Sequence, residues 1–402
     1  MVVDDQRSST PSFDNDITVN GPNSNAMLRQ LLRPLHGPSK HSSLINPSHN
    51  LTNHFHTTCT YNMRVLLSGG SGFIAAHVLD DLLERGHSVV TTVRSQEKAD
   101  KIKAAHSKYG KDKLDFALVE DVAQEGAFDK AIVSDPPFEA VIHTASPFHF
   151  NVTDVQKELL DPAVIGTEGI LKSIKKNAPT VKRVVITSSF ASIVNPSKGT
   201  WPGHVYSEDD WNPMTLEDAL KDPAAGYRAS KTFAERAAWD FVEKEKPNFT
   251  IATMCPPLVL GPIVHYLNSL DALNTSNQRI RDTMLGKYKD EIPPTGTFIW
   301  VDVRDLALCH VLAAEKEDAA NKRFFITAGH FSNLEIAKAI AKGYPDLKDK
   351  LPALDGSKGG DYPKEGVYQV NSKRAEEVLG IQWRSFDQAI VDTVKSLQAV
   401  GA

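Results

Sequence analysis

Ser68-Gly69-Gly70-Ser71-Gly72-Phe73-Ile74-Ala75 is the stretch on which the reading of the fold turns. It follows the apolar run Val65-Leu66-Leu67 and opens into a helical pattern from Phe73 to Arg85, closed by Gly86. A glycine-rich turn between a strand and a helix lets the backbone come close to a phosphate, and the free amides at the helix start meet its negative charge. Gly69, Gly70, Ser71, Gly72, Phe73 and Ile74 are therefore expected to hold the pyrophosphate of a dinucleotide. Alone, such a turn is weak; its position between strand and helix sharpens it.

Outward from the turn, strand and helix patterns alternate. Ser88 to Val93, Asp115 to Val119, Ala140 to His143, Arg183 to Thr187 and Thr250 to Met254 read as strands with few charges. Apolar runs of this kind suit strands covered by helices on both faces. The expected fold is α/β, a Rossmann-like doubly wound parallel sheet with a smaller, mostly C-terminal substrate-binding lobe. Residues 63–262, completed by about 296–330, form the dinucleotide-binding part, and 263–295 with 331–402 form the lobe. The stretch from about Val264 to Pro294 reads as irregular. Ser332-Asn333-Leu334-Glu335 reads as a capping box, and Gly380 as the stop of a helix beginning near Ser372. Residues 1–62, rich in Ser, Asn, Pro, Thr and His, show no sustained period and are expected to be a disordered extension. His54, His56 and Cys59 there follow from composition, and no metal site is expected.

Composition excludes several classes. The 402 residues are 41% hydrophobic and 24% charged, with a formal net charge of −5. That balance gives no positive field for a nucleic-acid backbone. No apolar run reaches the roughly 18 to 20 residues that span a bilayer. Met1 to Asp16 lacks a hydrophobic signal core. Three distant cysteines, Cys59, Cys255 and Cys309, suggest no disulfide framework, so a cytoplasmic location is expected.

The end of the second strand, Thr91-Thr92-Val93-Arg94, carries no Asp or Glu where an NAD-selective site usually places one, roughly 20 residues beyond the glycines. Arg94 and Lys98 stand there instead, and both can converge on a ribose 2′-phosphate. NADP(H) is the expected cofactor. Asp121-Val122 follows the third strand and either reads the adenine or simply ends a strand. Thr144, Ala145 and Ser146 follow the fourth, with small side chains where a dinucleotide must pass close to the sheet.

Tyr227 and Lys231 are four apart in a segment that continues as a helix through Trp239, so they share a face. A free phenol has a pKa of about 10, and a neighbouring ammonium favours its ionised form. Thr187-Ser188-Ser189 ends a buried strand, where ligands sit in an open parallel sheet. A serine hydroxyl there can donate to a carbonyl oxygen as charge builds on it. Ser188 competes for this role; Ser189 is preferred because it lies farther out along the strand.

Taken together, the glycine turn, Arg94, Lys98, Ser189, Tyr227 and Lys231 resemble the extended short-chain dehydrogenase/reductase family. Within it the chain is most similar to NADPH-dependent aldehyde and ketone reductases of the methylglyoxal-reductase and dihydroflavonol-reductase group. The resemblance runs from about Met63 to the C-terminus and includes Tyr206 to Pro213, Pro256 to Pro262 and Trp300 to Asp305. It implies reduction of an aldehyde or ketone, with Tyr227 as proton donor, Lys231 as its tuning cation and ribose ligand, and Ser189 orienting the carbonyl. Pro256 and Val259 would lie along the nicotinamide, and Asp302 to Asp305 would pack near the site. Ile165 stands before Gly166-Thr167 where many members carry Asn, so a proton route through that Asn is not open to this chain. Phe148, Phe150, Phe190 and Pro257 are expected to give the mouth an apolar, partly aromatic wall. The expected partner is a small carbonyl compound, and the expected assembly a monomer or homodimer. Two other readings stand beside this one. A nucleotide-sugar epimerase or dehydratase would use the same three side chains, and an NADP-sensing regulator would keep the fold without the chemistry.

Overall fold

The computed structural model describes residues 62–146, 152–264, 270, 273–356 and 358–402. β1 (Arg64–Ser68) leads through the glycine turn into α1 (Phe73–Glu84), and β2 (Ser88–Val93), α2 (Gln96–Ala105), β3 (Leu114–Leu118) and β4 (Ala140–His143) follow. α3 (Asp161–Asn177) precedes β5 (Arg183–Thr187). The short β6 (Val205–Tyr206) and α4 (Leu216–Ala219) come before α5 (Pro223–Glu245) and β7 (Thr250–Cys255). Beyond these lie β8 (Leu258–Leu260), α6 (Thr275–Met284), β9 (Ile299–Asp302), α7 (Val303–Glu315) and β10 (Lys322–Phe325). β11 (Gly329–His330), α8 (Asn333–Gly343), β12 (Gln369–Val370) and α9 (Phe386–Ala399) complete the order.

Seven strands form one sheet in the order β10-β7-β5-β4-β1-β2-β3, all parallel. Alternation along β1 shows why both faces are covered. Val65 and Leu67 pack into a core with Val78, Leu79 and Leu82 of α1 and Leu306 of α7. Leu66 points the other way, into a core with Ile170, Leu171 and Ile174 of α3 and Phe241 of α5. All three strand residues have no solvent exposure, so a polar residue at any of them would leave an unsatisfied group in the sheet. The strands expected at Ser88, Ala140 and Arg183 occur with those bounds. The third lies one residue earlier than expected, and β7 runs one residue further.

Connections pass from β1 through β2 to β3 on one side, then return to β4 on the other side of β1. The strands stay paired up to Ser68 and His143, but the connections leaving their carboxyl ends run in opposite directions across the sheet, and ligands bind in the crevice left there. A third core, with Ile280 and Met284 of α6, Ile336 and Ile340 of α8 and Ile390, Val394 and Leu397 of α9, supports the C-terminal elements.

The stretch 264–294, which reads as irregular, contains α6. Thr-Ser-Asn-Gln-Arg-Ile-Arg-Asp-Thr-Met is too polar to show helical periodicity, because Ile280 and Met284 supply its only large buried apolar contacts. Asn277 has no exposure; its amide donates to the Gly261 carbonyl at 2.8 Å and its oxygen accepts from Gly261 N–H at 3.3 Å. The capping box at Ser332 and Glu335 is formed, and Gly380 ends the segment after Ser372 in a left-handed conformation, φ 75°. Among the described residues, no helix is long and apolar enough to cross a membrane.

Replacing Asn277 by Ala strands both backbone groups of Gly261, each a loss of about 1–3 kcal/mol. The urea midpoint of Asn277→Ala is accordingly expected to fall clearly at unchanged m-value; an unchanged midpoint would show that water satisfies Gly261.

Candidate active site

A cleft of about 940 Å³ opens at the gap between β1 and β4. Its outer part is built by the glycine turn. Gly69 adopts φ 78°, and a Cβ there would stand 3.1 Å from the Ala145 backbone, so only glycine lets β1 and β4 close this tightly. Gly72 precedes α1 in extended conformation, and no acidic residue lies in the first helical turn, so its amide charge is left for an anion. Gly69, Ser71, Gly72, Phe73 and Ile74 line the cleft. Gly70 does not: it is pressed against β2, where a Cβ would come within 2.1 Å of Thr91 Oγ1, and its N–H donates to the Thr92 carbonyl. Its expected phosphate contact is thus corrected to a packing role.

Ser68 stitches the two strand ends together. Its Oγ accepts from the amides of Thr144 and Ala145, both at 3.0 Å, and lies 2.8 Å from His143 Nδ1. With both lone pairs engaged, the hydroxyl donates its proton to His143, which must then be neutral at Nδ1. Burial, aided by the Lys231 charge, pushes the His143 pKa down to about 4, in agreement with that assignment.

Arg94, Lys98, Asp121, Val122, Thr144, Ala145 and Ser146 all line the cleft, joined by Lys101, which the sequence reading passed over. Lys101 is paired with Glu97 at 2.6 Å. The Lys98 pKa is lowered by burial and then by the Arg94 charge, with Glu97 acting in the opposite direction, so Arg94 and Lys98 are close enough to feel each other's charge. Such a pair favours an anion. Asp121 Oδ1 accepts from the Ala123 amide at 2.9 Å, a local turn contact.

At the inner end stand Ser189, Tyr227 and Lys231. Asp222 caps α5 through the Ala225 amide and Pro223 starts it, which sets the rotation that turns Tyr227 and Lys231 to the cleft. The Tyr227 hydroxyl is hydrogen-bonded to Ser189; burial raises its pKa above the usual phenol value, and the Ser189 bond pulls in the opposite direction. Burial brings the Lys231 pKa down to about 8, and its Nζ donates to Ser146 Oγ at 3.0 Å. Burial, opposed by Ser189, thus sets the phenol above its usual range, rather than the lowering expected from the ammonium. Ser188 is committed elsewhere: its hydroxyl donates to the buried Glu235 carboxylate at 2.6 Å. That leaves Ser189 as the serine facing Tyr227.

Pro256, Pro257 and Val259 line the cleft, with Leu258 and, from the α6 start, Leu273 to Ser276. Phe190 does not. It is 4% exposed, packed edge-on to Tyr206 and stacked on Phe325, each at 5.4 Å between ring centroids, so the expected aromatic wall is corrected to core at this position. Phe148 and Phe150 lie outside the described residues. Asp302 and Asp305 are buried, paired with Arg304 and Arg384, and pack between α7 and the C-terminal segment. Glu235 was not singled out from sequence, although its spacing of four from Lys231 on one helix was the available signal.

A dinucleotide fits this cleft: bare backbone at the turn, paired cations at one end and hydroxyl groups at the other. A profile of the NAD dependent epimerase/dehydratase family matches residues 65–327. The chain is 48% identical over 337 residues to a ketoreductase of Aspergillus niger, covering 83% of this chain and 97% of that one. It is 41% identical over 336 residues to a putative NADPH-dependent methylglyoxal reductase of Candida albicans, covering 83% and 98%. The crystal structure of Gre2 in complex with NADPH from Candida albicans superimposes with TM-score 0.77 at 36% identity, over 85% of this chain and 100% of that one.

The Lys231 amine is expected to react with acetic anhydride with a half-point near pH 8, against about 10.4 for an ordinary lysine. Site-resolved mass spectrometry reads this, and a half-point above about 10 would contradict the desolvated setting.

Proposed function

The chain belongs to the NAD dependent epimerase/dehydratase family, as an extended short-chain dehydrogenase/reductase, and on that premise we propose that it reduces an aldehyde or ketone to an alcohol with NADPH. One observation carries the chemistry: the hydroxyls of Ser189 and Tyr227 are bonded to each other beside Lys231, in the cleft whose far end holds Arg94 and Lys98. The reductase names and NADPH dependence of the similar proteins support the same reading.

When bound, dihydronicotinamide supplies the hydride. Arg94 and Lys98 would hold the 2′-phosphate, and Gly69 with Ser71 to Ile74 the pyrophosphate. Pro256 and Val259, which line the cleft, would lie beside the ring. A carbonyl oxygen entering between Ser189 and Tyr227 replaces their mutual bond with one from each. Burial keeps the Tyr227 phenol neutral, the form needed to give a proton to the developing alkoxide. Ser189 donates a hydrogen bond to the same oxygen, worth most as charge builds on it. The Lys231 ammonium, held by Ser146, stabilises the phenolate that proton donation leaves behind.

Pro257, Leu258 and Leu273 give the substrate end an apolar side, which favours a hydrophobic carbonyl compound over a nucleotide-sugar. The paired cations and absent carboxylate after β2 likewise disfavour an NAD-retaining epimerase. We assign the substrate end to the lobe formed by 263–295 with 331–402, and place the protein in the cytoplasm as a monomer or homodimer.

Tyr227→Phe is expected to lower kcat for carbonyl reduction by roughly 10²- to 10⁴-fold, with NADPH affinity nearly unchanged in a fluorescence titration. Retention of most activity would refute the donor role. Arg94→Ala is expected to raise the KM for NADPH on the order of 10- to 100-fold, as for loss of a charged hydrogen bond, while the KM for NADH hardly moves; equal changes would remove the 2′-phosphate assignment.

A further inference from the structure

Glu235 sits one turn beyond Lys231 and two beyond Tyr227 on α5, but turns inward, with a fully buried side chain. Its Oε2 accepts from the hydroxyls of Ser188 and Ser192, each at 2.6 Å. Oε1 accepts from Thr253 of β7 at 2.7 Å. Arg323 of β10 donates to both oxygens, at 2.8 and 3.2 Å, and also to the Ser192 carbonyl at 3.1 Å. Burial alone would raise the Glu235 pKa; the Arg323 charge and these hydrogen bonds outweigh it, so the carboxyl stays ionised.

A buried ion pair of this kind is a poor way to gain stability, since desolvation offsets most of the attraction. What it does supply is geometry. Ser188 and Ser192 bracket Ser189, and the Ser192 hydroxyl shares its one proton between Glu235 and the Ser189 carbonyl, 2.7 Å away. The Ser192 amide donates to that same carbonyl at 2.9 Å, and the Phe190 amide to the Pro256 carbonyl at 2.8 Å. The turn carrying Ser189 is thus gripped at both ends by one carboxylate, and that carboxylate stands on the helix that carries the phenol.

We propose that Glu235, paired with Arg323, is a positioning residue that holds the Ser189 hydroxyl against the Tyr227 hydroxyl by gripping Ser188 and Ser192. Tyr227, Lys231 and Glu235 then act as one helical ruler: two side chains meet the ligand, and the third sets the distance to the opposing serine. The inference rests on the proposed roles of Ser189 and Tyr227.

A double-mutant cycle in the full-length chain tests it: Ser189→Ala, Glu235→Gln and the combination. Melting temperature, NADPH affinity by fluorescence and the pH profile of kcat are recorded beside kcat. Glu235→Gln is expected to lower kcat about 10- to 100-fold with NADPH affinity within about twofold, and to cost less than about twofold more once Ser189 is already Ala. Because the Ser189 bond holds the Tyr227 pKa down, both single variants are expected to move the basic limb of kcat to higher pH. Should Glu235→Gln fail to fold, Ser192→Ala removes one gripped hydroxyl and is expected to show the same non-additivity at about 3- to 10-fold. Additive losses, a kcat loss accompanied by an equal loss of NADPH affinity, or an unchanged kcat in the folded variant would each overturn the positioning role. A fully active Ser189→Ala would overturn the Ser189 reading itself and the inference with it, which separates the two failures.

Discussion

A parallel sheet that grows first one way from β1 and then the other must leave one pair of strand ends uncrossed. Here that pair is β1 and β4, and the functional assembly depends on the gap between them. Ser68 holds the gap to a fixed width by taking the amides of Thr144 and Ala145 on one hydroxyl. Gly69 lets the turn sit against Ala145 at that width. The glycine turn and the small residues after β4 are therefore two sides of one constraint: backbone faces the cleft where larger side chains would fill it.

The inner end obeys a different rule. Charged and titratable groups cluster in buried positions around α5: Lys231 near pKa 8, His143 near 4, Glu235 ionised against Arg323. Burial is the main cause at Lys231 and His143, whereas Arg323 and hydrogen bonds overcome it at Glu235. Neutral His143 spares Lys231 a second positive charge, and Ser146 holds the ammonium without neutralising it. In the proposed reaction this arrangement would meet the charge of a phenolate once the proton has left.

Much of this was legible in the sequence, and the exceptions have physical causes. Apolar runs without charge located the central strands because both faces are buried, and strand-turn-helix order pointed to the cleft at the glycine turn. α6 escaped notice because its buried face is built partly from Asn277 and Thr283, which no hydrophobic period records. Phe190 was read as pocket wall because an aromatic beside a candidate serine looks the same whether it faces ligand or core. Only the rings of Tyr206, Phe325 and Tyr368 around it decide. Gly70 was grouped with its neighbours although its demand comes from Thr91, a residue on another strand. Ser188 and Ser189 differ by a single position, and what separates them is Glu235, nearly fifty positions away in sequence.

The proposed chemistry requires a carbonyl oxygen to be received between two hydroxyls facing a bound dihydronicotinamide. The most direct measurement is a crystal structure of the ternary complex with NADP⁺ and an unreactive carbonyl analogue. The analogue oxygen is expected within hydrogen-bond reach of both Ser189 Oγ and the Tyr227 hydroxyl, with its carbonyl carbon against the nicotinamide ring. A Tyr227 hydroxyl turned away from the ring, with no space for a ligand between them, would contradict it.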